Sequence, residues 1–153
     1  MDNFEKLERI GQGKAVAIIK DLFKHCELNI DQHIIDKNEI DIYVTATTKN
    51  GKVGRYSIEA KDRHTDHNAY GGKWMIEKKK MYNLIDDYAK GYTTLYLNTF
   101  ADNTYFIWNP FVNKFNEGII RSEKYTAYPS DKVDKPSYFF NINDFVQSGT
   151  TRN

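Results

Sequence analysis

The stretch Glu39–Arg63, EIDIYVTATTKNGKVGRYSIEAKDR, decides how this chain folds. Ile40, Ile42, Val44 and Ala46 alternate with Asp41, Tyr43, Thr45 and Thr47, and Tyr56, Ile58 and Ala60 alternate with Ser57, Glu59 and Lys61. Successive side chains of a strand point to opposite faces, so both runs read as strands with one apolar face. Lys49-Asn50-Gly51-Lys52 between them is a hairpin signal. A two-residue Asn50-Gly51 loop pairs residues whose numbers sum to 101, which sets Asp41 against Ala60 and mixes the two faces. A three-residue loop, Lys49 to Gly51 with Gly51 left-handed, makes the sum 100 and sets Ile42 against Ile58 and Val44 against Tyr56. A one-residue slip flips every side chain, so apolar burial selects the second register. Asp41, Glu59 and Lys61 then meet on one face.

Outward from the hairpin, Asp2 to about Lys24 has helical spacing in Phe4, Leu7, Gly11, Ala15, Ile18 and Leu22, with Asp2 and Glu5 resembling a capping box. Gly11 and Gly13 weaken its middle by about 1 kcal/mol each and invite a break. Glu27–Asn38 reads as irregular, with a short strand near His33 to Ile35. Asp62–Gly72 reads as a polar loop. A second helix is expected from about Gly72 to Ala89, with an apolar stripe of Trp74, Met81, Tyr82, Ile85, Tyr88 and Ala89, Lys78 in the middle of it, and Gly91 as the stop. Thr93–Thr99 and Thr104–Trp108 read as strands, as does Ser137–Ile142, and Ser148–Asn153 as a frayed tail. The expected fold is α/β: a single domain with a mixed β-sheet flanked by helices, its core in residues 1–110 and residues 111–153 an extension packed on it.

A chain of 153 residues suits one domain, and 40% hydrophobic against 28% charged residues supports a core rather than disorder. Lysine and arginine exceed aspartate and glutamate by one, 22 to 21, which excludes a uniformly basic coat but not a local patch. The 14% aromatic content favours a sheet. Cys26 stands alone, so neither an internal disulfide nor a thiolate zinc cluster is available. The acidic start MDNFEKLERI is unlike a signal peptide, and no apolar run reaches the roughly 20 residues of a membrane span, so a soluble, cytoplasmic protein is expected.

Two carboxylates on adjacent strands make an oxygen-rich site of the kind Mg²⁺ or Mn²⁺ prefers. A lysine two residues past the second carboxylate shares its face, where an ammonium can stabilise negative charge developing on a phosphate. A cross-strand charge pair on a solvated sheet face is the bland alternative, worth a few tenths of a kcal/mol. Against it, Ile58 and Ala60 give the second strand the neighbours of a central strand, where unpaired charge is costly. Glu77-Lys78-Lys79 repeats the Glu-x-Lys spacing but falls in the expected helix.

Asp41, the hairpin, Ile58-Glu59-Ala60-Lys61, then a helix and two strands resemble the PD-(D/E)xK superfamily of restriction-endonuclease-like nucleases, over roughly Asn3 to Trp108. The resemblance implies a Mg²⁺-dependent nuclease hydrolysing phosphodiester bonds, DNA more than RNA. Asp41, Glu59 and the Ala60 carbonyl would hold the metal, and Lys61 would assist the attacking water. Some members carry Gln-x-x-x-Tyr on the following helix; Lys78 and Tyr82 have that spacing, with Lys in place of Gln. Some add a glutamate from the first helix, for which Glu8 is the first candidate and Glu5 the second. Ile40 stands where many members have proline. Arg63, Lys73, Lys79 and Lys80 are candidates for phosphate contacts. A homodimer suits enzymes that cut both strands.

His64 and His67 lack a third ligand nearby and read as exposed loop histidines. Gly11-Gln-Gly13-Lys14 lacks the spacing and the preceding strand of a phosphate loop. Tyr96, Tyr105 and Trp108 read as core. Two other classes stay open: a catalytically inactive nuclease-fold module binding nucleic acid or a protein, and a phage- or mobile-element-encoded accessory protein with a tyrosine-rich interface.

Overall fold

The computed structural model describes residues 3–33, 40–123 and 132–151. In chain order the elements are α1 (Asn3–Leu22), β1 (Glu27–Gln32), β2 (Ile42–Thr47), β3 (Val53–Asp62), β4 (Lys73–Glu77), α2 (Lys78–Ala89), β5 (Thr93–Thr99), β6 (Thr104–Trp108), β7 (Phe115–Glu123), β8 (Lys132–Asn141) and β9 (Gln147–Thr150). Six strands form a mixed sheet in the order β1-β2-β3-β5-β6-β9, and β4-β8-β7 form a smaller antiparallel sheet. The fold is α/β, as expected. No helix among the described residues is long and apolar enough to cross a membrane.

The β2–β3 register is the one that burial selects. Ile42 lies opposite Ile58 and Val44 opposite Tyr56. Thr48 N–H donates to the Lys52 carbonyl at 2.9 Å, leaving a loop of Lys49 to Gly51, and Gly51 has φ +81°. From β3 the chain passes through β4 and α2 before returning as β5, parallel to β3, with Glu59 beside Tyr96 and Lys61 beside Asn98.

The central sheet has two unlike faces. On one, Ile42, Val44, Ile58 and Leu97 pack against Ala15, Ile18 and Ile19 of α1. On the other, Tyr96 and Trp108 pack against Trp74, Met81, Leu84 and Phe140 from α2 and the smaller sheet. α1 runs unbroken through both glycines. A Cβ on Gly11 would stand 3.1 Å from the Asp62 Cβ, so this glycine admits a close approach of α1 to the end of β3.

Four expectations change. Glu27–Gln32 is a strand, and of the expected segment His33–Ile35, His33 follows it while Ile34 and Ile35 fall outside the described residues, as does Asp2 of the capping box. Residues 73–77 are a strand, in which Trp74 and Ile76 are buried on one side while Lys73 is exposed, so α2 begins at Lys78 rather than near Gly72. The smaller sheet forms from residues on both sides of α2, with Pro136 of β8 lying beyond the reach of β4, where its missing N–H costs no bond on that side. The expected frayed tail contains β9, an edge strand paired with β6 from Thr104–Thr150 to Ile107–Gln147.

The polar face of the sheet is fastened to α2 through one carboxylate. Asp87, 5% exposed, accepts hydrogen bonds from the Ser57 hydroxyl at 2.6 Å and the Tyr43 hydroxyl at 2.8 Å. Asp87→Ala leaves both hydroxyls without this acceptor and should cost about 2–3 kcal/mol. Urea denaturation checks this; an unchanged midpoint would contradict the fastening.

Candidate functional site

Asp41 immediately precedes β2, next to the Ile42–Ile58 pair and so near Glu59, and both acids are buried. Asp41 Oδ2 accepts the Ala60 N–H at 3.0 Å, so a side chain takes over the ladder where β2 ends. In an extended strand the N–H and C=O of one residue share an edge, so the Ala60 carbonyl also faces the Asp41 side. The Asp41 carboxyl lies near enough to Glu59 to raise its proton affinity. Desolvation first, and the Asp41 charge second, push Glu59 well above the ordinary carboxylate range; Lys80 opposes them. Glu59 thus holds its proton to higher pH than an exposed glutamate does.

Glu8 joins from α1. Its pKa is raised by desolvation and then by Asp41, and lowered by Lys61, a Gln12 hydrogen bond and Lys80. Lys80 comes from the first turn of α2, its Nζ 3.5 Å from Glu59 Oε1. Lys61 is exposed as a residue, yet its amine is drawn below the ordinary lysine value, first by desolvation and then by the Arg63 charge, against Glu8, Glu77 and Glu59. With so much of the side chain in water, solvent screening limits that depression. Asp41 and Glu59 thus lie within electrostatic reach of Lys61 and Glu8, the residues singled out from the sequence.

Lys78 and Tyr82 do not join them. They pair with each other, Lys78 Nζ lying 5.8 Å from the Tyr82 ring centre, and they adjoin Tyr138 and Glu117 of the smaller sheet. The helical lysine beside Glu59 is Lys80, two positions on. The cause is the start of α2 at Lys78: with residues 73–77 in a strand, the stripe counted from Trp74 does not apply to the first helical turn.

Arg63 is also placed otherwise than as a free phosphate contact. Its Nε donates to Asn98 Oδ1 at 2.7 Å, and one terminal nitrogen to the Met75 carbonyl at 2.7 Å and the Tyr96 hydroxyl at 2.9 Å. It braces β3, β4 and β5 and lies over the Trp74 ring, 5.3 Å from its centre. Lys73 and Lys79 are exposed. His64 is exposed, but His67 is half-buried: its ring Nδ1 meets Asp102, and its amide donates to the same carboxylate at 3.2 Å. Desolvation pushes Asp102 up, but hydrogen bonds from Thr104 and His67 and the imidazole charge outweigh it and hold the carboxyl at about 2. That clamp stabilises the loop above the ordinary carboxylate pKa and is lost as pH falls toward 2.

A cleft of about 320 Å³ opens between α1 and the end of β3, lined by Glu8, Gln12, Ala60, Lys61, Arg63, Tyr70 and Trp74 among others. Glu59 Oε2 is buried without a hydrogen-bond partner. A buried carboxylate oxygen with nothing to bind is what a hard cation would satisfy. Among the described residues no three His, Cys, Asp or Glu side chains form a ready metal cluster. Mg²⁺ or Mn²⁺ would therefore take Asp41, Glu59 and the Ala60 carbonyl and keep water on its remaining positions. No protein-family model matches the sequence, and neither a curated protein nor a solved structure matches it.

Folding raises the Glu59 pKa, so the native state keeps its proton where the unfolded chain has released it. Stability therefore falls as pH rises from the ordinary value of 4.5 toward the folded one. Glu59→Gln cannot ionise. Metal-free E59Q should melt above wild type at pH 8, the two converging below about pH 4. Thermal denaturation across pH checks this, and a variant that melts below wild type at pH 8 would contradict the assigned shift.

Proposed function

We propose that this chain is a divalent-metal-dependent nuclease that hydrolyses phosphodiester bonds, most simply in DNA. The observation that carries the reading is the contact of Asp41 and Glu59 at the end of β2, with an orphaned carboxylate oxygen inside and lysines on either side. The order of elements supports it: a helix, an antiparallel meander β1-β2-β3, a crossover through α2, and a strand parallel to β3 agree with the resemblance to PD-(D/E)xK enzymes.

The chain's own residues divide the work. Asp41 and Glu59 supply hard oxygen ligands, and the Asp41–Ala60 hydrogen bond fixes one carboxylate against the strand that carries the other. The bound cation would neutralise phosphate charge and lower the pKa of water, which is what hydrolysis of a phosphodiester needs. Lys61 faces the cleft and stabilises negative charge as water adds to phosphorus. Lys80 acts as counter-ion to Glu59 when no metal is present. With a cation held by Glu59, the Lys80 ammonium would be available to the phosphate. Glu8 keeps a third acidic group near Asp41 and Lys61.

The first turn of α2, Lys78-Lys79-Lys80, sets three positive charges against the positive end of the helix dipole. Each such placement costs about 0.3–1 kcal/mol, and a polyanion at that end offsets it. This favours nucleic acid over an uncharged substrate.

Cleavage of labelled DNA in Mg²⁺ tests the proposal. Glu59→Ala should fall to background and Lys61→Ala by about 10²–10³-fold. Lys80→Ala should lose about 10–100-fold, and Lys78→Ala the least, all four retaining the wild-type far-ultraviolet spectrum. Cleavage undiminished in both E59A and K61A would remove the proposed roles. A binding protein without catalysis would retain DNA affinity but show no metal-dependent cleavage in any form.

A further inference from the structure

The loop leaving the proposed catalytic strand presents an aromatic ring at the cleft in a costly conformation. Tyr70 has φ 52° and ψ 33°, left-handed values that a bulky side chain seldom adopts. Gly71 and Gly72 follow with φ 67° and 72°, so three consecutive residues lie at positive φ. The turn is held from several sides. A Cβ on Gly72 would stand 2.6 Å from Ile142 Cγ1, so this residue is wedged against β8's end. Trp74 Nε1 donates to the His67 carbonyl at 2.9 Å, and His67 is tied to Asp102. Strain of this kind persists only where its surroundings fix it, and it concentrates at functional sites.

The product of this strain is exposure. Tyr70 is 75% exposed although it lines the same cleft as Glu8, Lys61 and Arg63. Its ring stands edge-on to Trp74 at 5.7 Å and 83°, and Trp74 carries the Arg63 guanidinium over its ring. A tiered wall of Arg63, Trp74 and Tyr70 thus ends in an open aromatic surface in the cleft that Lys61 also lines. A cleft of about 320 Å³ is near the lower end of small-ligand pockets, room for about one nucleotide.

We infer that Tyr70 is a stacking platform for a single unpaired base beside the scissile phosphate, so that the preferred substrate is single-stranded DNA or an unpaired end rather than continuous duplex. The inference rests on the nuclease reading for the identity of the ligand. A ring can stack on a base's face only when that base has left the duplex stack, and such stacking tolerates any sequence. Preorganisation by the fixed turn keeps the ring in place before the substrate arrives.

The test is binding of a short single-stranded DNA carrying 2-aminopurine, against a blunt duplex of the same sequence, with Ca²⁺ in place of Mg²⁺ to hold hydrolysis back. Wild type should quench the fluorophore and bind the single strand more tightly. Tyr70→Ala should weaken single-strand binding by about 5–100-fold and leave duplex binding alone, while Tyr70→Phe keeps wild-type affinity. Tyr70→Gly accepts the positive φ without strain; it should melt no lower than wild type and still lose single-strand affinity as Ala does. Wild-type single-strand affinity in Y70A, or equal losses for both DNAs, would overturn the platform. Metal-dependent cleavage without any single-strand preference would overturn it while leaving the nuclease reading standing. Failure of wild type to bind either DNA would overturn both.

Discussion

The pairing of Ile42 with Ile58 determines what else this molecule can be. With that register, Ile42, Val44, Ile58 and Ala60 turn toward α1, and Asp41, Ser57, Glu59 and Lys61 turn the other way. Each isoleucine buried in this way contributes about 1.5–3 kcal/mol, so a slip of one residue would expose several such side chains at once. The acidic pair is thereby assembled by the hydrophobic effect acting on its neighbours, not by any attraction between the acids, which repel. The end of β2 at Ile42 then frees Asp41 to bond the Ala60 amide and approach Glu59.

An assembly of that sort works against folding. Burial and the Asp41 charge raise the proton affinity of Glu59, and one of its oxygens has no hydrogen-bond partner. Lysines in the first turn of α2 oppose the helix dipole, and Tyr70 holds a left-handed backbone. These departures from stable design lie around one end of β3. Carboxylates elsewhere are satisfied: Asp87 receives two hydroxyls, and Asp102 binds His67 and Thr104. The contrast is the physical basis for reading this end of the sheet as the working end.

Much of this was legible because it is local. The hairpin register, the Gly51 turn, β5, β6 and the meeting of Asp41, Glu59 and Lys61 follow from alternation within a few residues. What was not legible depends on distant pairing. Trp74 and Met81 fit a helical stripe until β8 arrives from more than fifty residues away to pair with Lys73–Glu77, which moves the helix start to Lys78 and exchanges Lys78 for Lys80 at the site. β9 has the polar composition of a tail and becomes a strand because β6 offers an edge. Arg63 looks like a phosphate ligand by position alone; its acceptors, Met75, Asn98 and Tyr96, lie on two other strands. Tyr70 could have been singled out by the Tyr-Gly-Gly run, since two glycines signal positive φ, but the exposure of its ring is a property of the packed loop.

The central claim is that one divalent cation is shared by the carboxyl groups at the end of β2. Anomalous diffraction from crystals grown with Mn²⁺ tests it most directly. The account predicts one strong peak about 2.1 Å from oxygens of both Asp41 and Glu59, with the Lys80 ammonium moved off Glu59. Density that keeps the Lys80–Glu59 ion pair, with no anomalous peak between the carboxyls at millimolar Mn²⁺, would contradict it.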